Sequence, residues 1–369
     1  MGSPKQLLRL GDRTLLECAI AAARRSNVKE TILVLGAAAE EIQRTIPTDG
    51  LVTVVNESYQ QGMGTSLRRG LAAVNPEAEG VLVILADQPL VRPATLDSLI
   101  EYHHRHQPQI VVPLYKGFRG NPVLVDRSVF PELRGLQGDI GCRAVFGSHA
   151  ENIHKLAVDD PGILLDVDTL ADLRALAGLS ELEEGHGVLL PNAEVEERPG
   201  SSNYYDGIPP ELIIVGRDAV VAALVRFAGM LGFNTTLVDP FVTLAEMPEA
   251  NRVLHCLDFS LLQENENRYI VVASRGQFDE EALEQALAYD HRYLTLVAGK
   301  ARREELILIL LKRGFGETAL ARLRTPAGLD IGAETPEEIA LSIMAEIVKE
   351  RRKSTSETRR TRRAGSEIN

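Results

Sequence analysis

Two stretches of this chain alternate short apolar runs with amphipathic helical patterns, and that alternation restricts the fold more than any other feature. In the first, the apolar runs 31–36 (TILVLG), 51–55, 81–86 (VLVILA) and 110–114 are separated by helical periodicity over 14–26, 37–45, 66–74 and 93–105. In the second, runs at 212–215, 235–238, 253–257, 269–273 and 293–297 alternate with helical patterns over 219–231, 280–289, 302–312 and 336–351. Near-continuous apolar strands separated by helices predict mostly parallel sheets covered on both faces. The expected fold class is α/β, with two doubly wound three-layer domains.

A break between the two series marks the boundary. The stretch 178–209 (including SELEEGHG and NAEVEERPGSSNYYDG) is acidic and rich in Gly, Pro, Ser and Asn, and reads as a linker. The expected domains are 1–177 and 210–352, followed by a basic tail, 353–369, without large apolar residues and expected to be disordered. At 369 residues and 44% hydrophobic, the chain can bury two cores. Its net charge of −12 argues against nucleic-acid binding by the folded body. No run approaches the roughly 20 apolar residues of a membrane span. The three cysteines, Cys18, Cys142 and Cys256, are widely separated and form no CxxC pair, which suits a reducing, cytoplasmic setting. His103, His104 and His106 read as an exposed helix terminus rather than a metal site.

Chemistry-bearing residues of the first half cluster where apolar runs end, the place open α/β sheets hold ligands. Lys5 follows a Gly-Ser-Pro turn and can meet phosphates as a compact charge. Asp87 ends the run beginning at Val81, where a hard, oxygen-preferring Mg²⁺ would bridge substrate phosphates; a helix N-cap is the competing role. Asp166 and Asp168 flank Val167 and share one face of an extended segment. Gly62, Gly64 and Ser66 precede a helix and can present N–H groups and a hydroxyl to a nucleotide.

In order, MGSPKQLLRLGDRTLLE, NESYQQGMGTSLRRGL, LADQPLVRPATLDSLI, VVPLYKGFRGNPVLV, LQGDIGCRAVF and GILLDVDTLADL resemble the MobA-like nucleotidyltransferases. The likeness is to the molybdenum cofactor cytidylyltransferase branch and covers about residues 1–176. The resemblance implies Lys5 and Asp87 as catalytic residues, and Gly2, Ser3, Lys5, Gly62, Gly64 and Ser66 around the nucleotide. It implies Asp87 and Asp168 as holders of Mg²⁺, and Arg119, Asn121, Asp139 and Arg143 facing the acceptor, with Asn121 standing where His is commoner. In that family a strand and a Gly-rich loop of the LAAGxSxR type precede the Met-Gly found here as Met1-Gly2. The first sheet is therefore expected to lack its N-terminal central strand, and Met1 to lie inside a motif of a chain longer by about 15–20 residues.

In the second half, the run ending at Gly216 opens a helix, and Asp239 ends the next run, as in a dinucleotide fold. Gly216-Arg217-Asp218-Ala219 keeps only the first glycine of that fingerprint, and Asp218 would oppose a pyrophosphate, which argues against NAD. The segment 321–352 resembles the Rossmann domain of XdhC/CoxI-type maturation proteins, which serve molybdenum enzymes of the xanthine dehydrogenase type. That family's Gly-His-Val loop appears as Asp218-Ala219-Val220, and its SRRR segment as Ala298-Gly299-Lys300-Ala301-Arg302. Gly216 and Asp239 stand as candidate ligand residues of this domain.

The two resemblances together imply transfer of CMP from CTP to a molybdopterin-type acceptor, with a molybdenum hydroxylase apoenzyme as partner. Two other readings stand beside it. One is a non-catalytic chaperone that binds cofactor or apoenzyme; the other is a nucleotidyltransferase for a sugar or polyol phosphate.

Overall fold

In the computed structural model, residues 4–136, 141–168, 172–174, 176, 194–198 and 209–366 are described. The chain divides into two units near residue 190, with Lys116–Phe118 grouped with the second. Both units are mixed α/β.

The first unit runs α1 (Leu15–Arg24), β1 (Ile32–Leu35), α2 (Ala39–Thr45), β2 (Val52–Val55), α3 (Met63–Ala73), β3 (Gly80–Val83) and α4 (Pro93–His106). It continues with β4 (Ile110–Tyr115), β5 (Phe118–Arg119), β6 (Val123–Asp126), α5 (Phe130–Arg134) and β7 (Ile153–Ala157). Local chemistry sets the helix starts. Thr14 and Glu17 form a reciprocal capping box on α1. Pro93 occupies the first turn of α4, where its missing N–H costs nothing.

These strands form two separate sheets. β1 and β2 pair in parallel, while β3, β6, β4 and β5 follow one another in a second sheet with β7 added in parallel to β4. The second sheet is mixed rather than mostly parallel, because β6 runs antiparallel to both β3 and β4. Lys116 and Gly117, both at positive φ, turn β4 back into β5 in the manner of a tight hairpin, which reverses the chain.

Among the described residues, β1 pairs only with β2 and β3 only with β6. The flank of β1 away from β2 and the flank of β3 away from β6 are edges among the described residues. Burial differs along this sheet: Val81, Leu82, Val83 and Ile84 are all partly exposed, whereas Ile110, Val111 and Val112 are fully buried.

The second unit consists of β8 (Val195–Glu197), β9 (Glu211–Val215), α6 (Ala219–Met230), β10 (Asn234–Val238), β11 (Arg252–Leu254) and β12 (Arg268–Val272). After these come α7 (Asp279–Ala288), β13 (Tyr293–Leu296), α8 (Lys300–Lys312), β14 (Leu323–Arg324) and α9 (Pro336–Ser366). The strand order is β8-β11-β10-β9-β12-β13-β14, parallel except for β8. This is the doubly wound order, with its switch point between β9 and β12. On α9, Ala340, Ile343, Met344 and Ile347 recur at helical spacing and are buried with Val220, Leu224 and Ala228 of α6. Each large apolar side chain removed from water there contributes roughly 1.5–3 kcal/mol.

Two boundary expectations change. The linker contributes β8, which pairs with β11 through Val195 and Leu254. The basic tail is helical backbone as far as Ser366, since Glu, Lys and Arg propagate a helix already nucleated by the packed part of α9. The histidine triplet also differs from expectation. His103 is buried and lies 2.9 Å from Asp126 Oδ2 of β6, a partner too distant in sequence for helix spacing to reveal. No helix among the described residues is long and apolar enough to cross a membrane.

Candidate active site

Lys5, Asp87 and Asp168 meet at one point. The Lys5 ammonium lies 2.8 Å from Asp87 Oδ2 and 2.8 Å from Asp168 Oδ1. Lys5 begins a short 3-10 turn after Pro4. Burial pulls its pKa down, but the hydrogen bonds and charges of Asp168 and Asp87 outweigh that, so it rises above the usual lysine value.

Asp87 stands four residues beyond the end of β3, in a turn, and so does not end the strand itself as expected. It does not cap α4 either. Asp160 braces that region instead: its Oδ2 accepts from Arg92 N and Thr95 Oγ1, while its Oδ1 accepts from Gly162 N. Asp87 is thereby left for other work. Its Oδ1 is buried and has no hydrogen-bond partner among the described residues, an arrangement that costs about 1–3 kcal/mol unless a cation or donor meets it. A carboxylate oxygen free in this way, with a second carboxylate nearby, fits a hard divalent cation. Asp87 and Asp168 are the residues that would hold it. Among the described residues no cluster of three or more acidic, His or Cys side chains forms a metal cage, so substrate phosphate or water must complete any coordination.

The segment 161–168 reaches the cluster through its backbone. Val167 N donates to Asp87 O at 2.9 Å, and Ile163 O accepts from Asn121 N at 3.0 Å. Asp166 is turned inward, where Gln88 Nε2 donates to it. Burial pushes the Asp166 carboxyl up, and the neighbouring Asp87 and Asp168 charges add to this against the Gln88 hydrogen bond and Lys5.

The glycine turn stands at the start of α3 and includes Asn56. Gly62, at φ 106°, opens α3, and Gly64 is buried. Asn56, at the end of β2, donates through Nδ2 to Thr65 Oγ1 at 2.8 Å and to Ser66 Oγ at 2.9 Å. The Thr65 hydroxyl in turn donates to Gly62 O at 2.8 Å. An Asn directly after a β-run and ahead of a glycine turn is the sequence signal for this role.

The acceptor-side residues are less uniform. Arg119 is 3% exposed, with its guanidinium over the Phe146 ring at 5.1 Å to the centroid. Asn121 precedes a cis peptide bond to Pro122, and Arg143 is half-buried in a 3-10 turn, Cys142–Val145. Gly2, Ser3 and Asp139 lie outside the described residues.

In the second unit, both candidate residues carry structural duties. Gly216 sits at φ 123°, and a Cβ there would lie 2.3 Å from Ala273 O at the end of the neighbouring strand. Asp218 caps α6 through Val221 N at 3.0 Å and pairs with Arg275 at 2.9 Å. Asp239 is 1% exposed and accepts from Phe241 N and Val242 N. Burial pushes its carboxyl up, with Arg217 at 4.0 Å opposing.

Comparison with known proteins defines the class. Residues 1–153 match the MobA-like NTP transferase domain and residues 212–347 match the XdhC Rossmann domain. The chain thus carries a MobA-like NTP transferase domain in its first half and an XdhC Rossmann domain in its second.

Among solved structures, Rv0371c from Mycobacterium tuberculosis H37Rv is 38% identical, over 48% of this chain and 91% of that one, with a TM-score of 0.45. A second structure of Rv0371c is a complex with manganese. A xanthine dehydrogenase from Bacillus halodurans is 29% identical, over 39% of this chain and 43% of that one, with a TM-score of 0.34. The uncharacterized protein YqeB from Escherichia coli K12 is 31% identical over 149 residues, 38% of this chain and 27% of that protein. The chain thus spans less than half the length of either of these last two relatives.

Proposed function

We propose that the first domain transfers a nucleotidyl group, CMP from CTP, to a molybdopterin-type acceptor. The XdhC Rossmann domain would then serve delivery of the product to a molybdenum hydroxylase apoenzyme in the cytoplasm. The observation that carries this reading is the Lys5–Asp87–Asp168 cluster, with a buried Asp87 oxygen that has no partner among the described residues.

In the reaction, a phosphate oxygen of the acceptor attacks the α-phosphorus of the nucleotide. A new P–O bond forms as the bond to the β-phosphate oxygen breaks, and pyrophosphate leaves with the electron pair. A bound Mg²⁺ supplies neutralisation of phosphate charge. Lys5 contributes a fixed positive charge beside the triphosphate. Asn56 holds the Ser66 hydroxyl at the opening of α3, where N–H groups face outward for the nucleotide. The domain's part is alignment and electrostatics rather than covalent chemistry.

The test is pyrophosphate release by the full chain with molybdopterin, Mg²⁺ and either CTP or GTP. Release with CTP that is lost in Asp87→Ala supports the reading. Release with GTP alone removes the cytidylyl assignment, and no release with any nucleotide removes the enzyme. A second reading, a chaperone that binds cofactor without turnover, draws on the way Lys5 occupies both carboxylates and on the open edges of β1 and β3. It predicts molybdopterin binding with no pyrophosphate formed.

A further inference from the structure

Gln88 follows Asp87 directly and is 3% exposed. Its Nε2 donates to Ile163 O at 3.1 Å and to Asp166 Oδ1 at 2.5 Å. Two acceptors on one side fix which end of the amide carries the hydrogens. The other end, Oε1, is buried with no hydrogen-bond partner among the described residues. Leaving an amide oxygen dry and unmet opposes folding, and a Met of similar volume would avoid that cost. Cohesion alone therefore does not account for a glutamine here; the direction of its NH₂ group does.

That group holds the segment carrying Asp166 and Asp168. From Ile163 the segment runs past Asp166 to Val167, whose N–H meets Asp87 O at 2.9 Å. Asp168 then emerges beside Asp87, and both carboxylates reach the same ammonium at 2.8 Å. The segment has little room to shift. A Cβ on Gly162 would lie 2.3 Å from Leu90 O, and a Cβ on Gly120 would lie 2.3 Å from Ile163 O. Ile163 O also accepts from Asn121 N, so one carbonyl joins the carboxylate pair to the Arg119–Asn121 segment.

From this geometry we infer that Gln88 is a positioning residue that sets the spacing of Asp87 and Asp168, and with it the affinity of the pair for a divalent cation. This rests on the reading of those two carboxylates as cation ligands, but not on nucleotide turnover.

The experiment is Mn²⁺ binding to the full chain, followed by the electron paramagnetic resonance signal of free Mn²⁺, with thermal unfolding recorded for every variant. Gln88→Met removes the donor at similar volume. It should raise the Mn²⁺ Kd by about 10–100-fold, the usual effect of losing an outer partner of a metal ligand, while the chain stays folded at the binding temperature although Asp166 loses a donor. Asp166→Leu removes the acceptor from the other side and should reproduce the loss. The combined variant should be no weaker than the worse single one, because each single change already breaks the Gln88–Asp166 hydrogen bond.

Wild-type Mn²⁺ affinity in Gln88→Met, or losses that multiply in the combined variant, overturns the inference. If Gln88→Met does not fold, unaltered binding by Asp166→Leu overturns it equally. A wild-type chain that binds no Mn²⁺ removes its basis, whereas one that binds Mn²⁺ without turning over nucleotide defeats only the transferase reading.

Discussion

Asn56 and Ser66 are joined by a 2.9 Å hydrogen bond that ties the end of a strand to the opening of a helix across ten residues. The same amide holds Thr65, and the Asn56 N–H is bonded to Leu35 O at 2.7 Å, so the turn is anchored to the β1–β2 sheet. Replacing Asn56 by Ala frees two hydroxyls from their donor. The expected result is a KM for nucleotide raised about tenfold, equivalent to roughly 1.4 kcal/mol, with a smaller change in kcat. Steady-state kinetics with varied nucleotide checks this; an unchanged KM would separate the turn from the nucleotide.

Asp87→Ala and Asp168→Ala should each lower the rate of pyrophosphate release by about a hundredfold or more, because several kcal/mol of charge stabilisation are lost with either carboxylate. Neither should unfold the domain. Asp87→Ala removes an unsatisfied buried oxygen, and Asp168 has a largely exposed side chain. Rates and circular dichroism measured together distinguish a chemical from a structural role.

The His103–Asp126 pair predicts a pH dependence of stability. Burial pushes the Asp126 carboxyl up, but hydrogen bonds from Ser128 and His103 outweigh it and hold it below its ordinary value of 3.8. A folded-state pKa depressed in this way contributes stability that is present above the unfolded value. The contribution is lost as pH falls through the folded one. Asp126→Ala should therefore cost about 1–3 kcal/mol at neutral pH, including the loss of its cap to Ser128 N. The gap from wild type should narrow only below about pH 4. Denaturant unfolding at pH 7 and pH 3 measures both limbs; a gap that stays constant would refute the assignment.

Gly216→Ala tests what the broken glycine fingerprint is for. With a Cβ forced to 2.3 Å from Ala273 O and φ at 123°, the variant should lose about 1–3 kcal/mol or more of stability in the second unit. A glycine kept for a ligand would instead leave stability intact and weaken binding. Urea unfolding of the full chain decides between the two.

Much of this architecture is legible in the residues themselves. Apolar runs such as 212–215 and 293–297 become buried parallel strands because such runs can only be accommodated between helix layers. The helix starts at Pro93 and Pro336 follow from proline's preset φ. Lys5 and Asp168 are separated by 163 residues, and no local pattern brings them together; only the likeness to a family did. The antiparallel course of β6 escaped because its cause is the two-residue turn Lys116-Gly117, a signal weaker than an Asn-Gly pair. Gln88 escaped because an amide in a turn carries no visible role until the segment it grips, far along the chain, is in place. His103 read as exposed for the same reason, its partner Asp126 lying on a neighbouring strand.

The flanks of β1 and β3 that are unpaired among the described residues bear on how this chain behaves in a tube. Each presents a short row of amide hydrogens and carbonyls beside apolar side chains that are only partly covered, among them Val81, Leu82 and Val83. An extended segment that supplies backbone N–H and C=O groups can complete such a row. Dimers and larger species formed in this way would grow with concentration, survive high salt and keep the second unit folded.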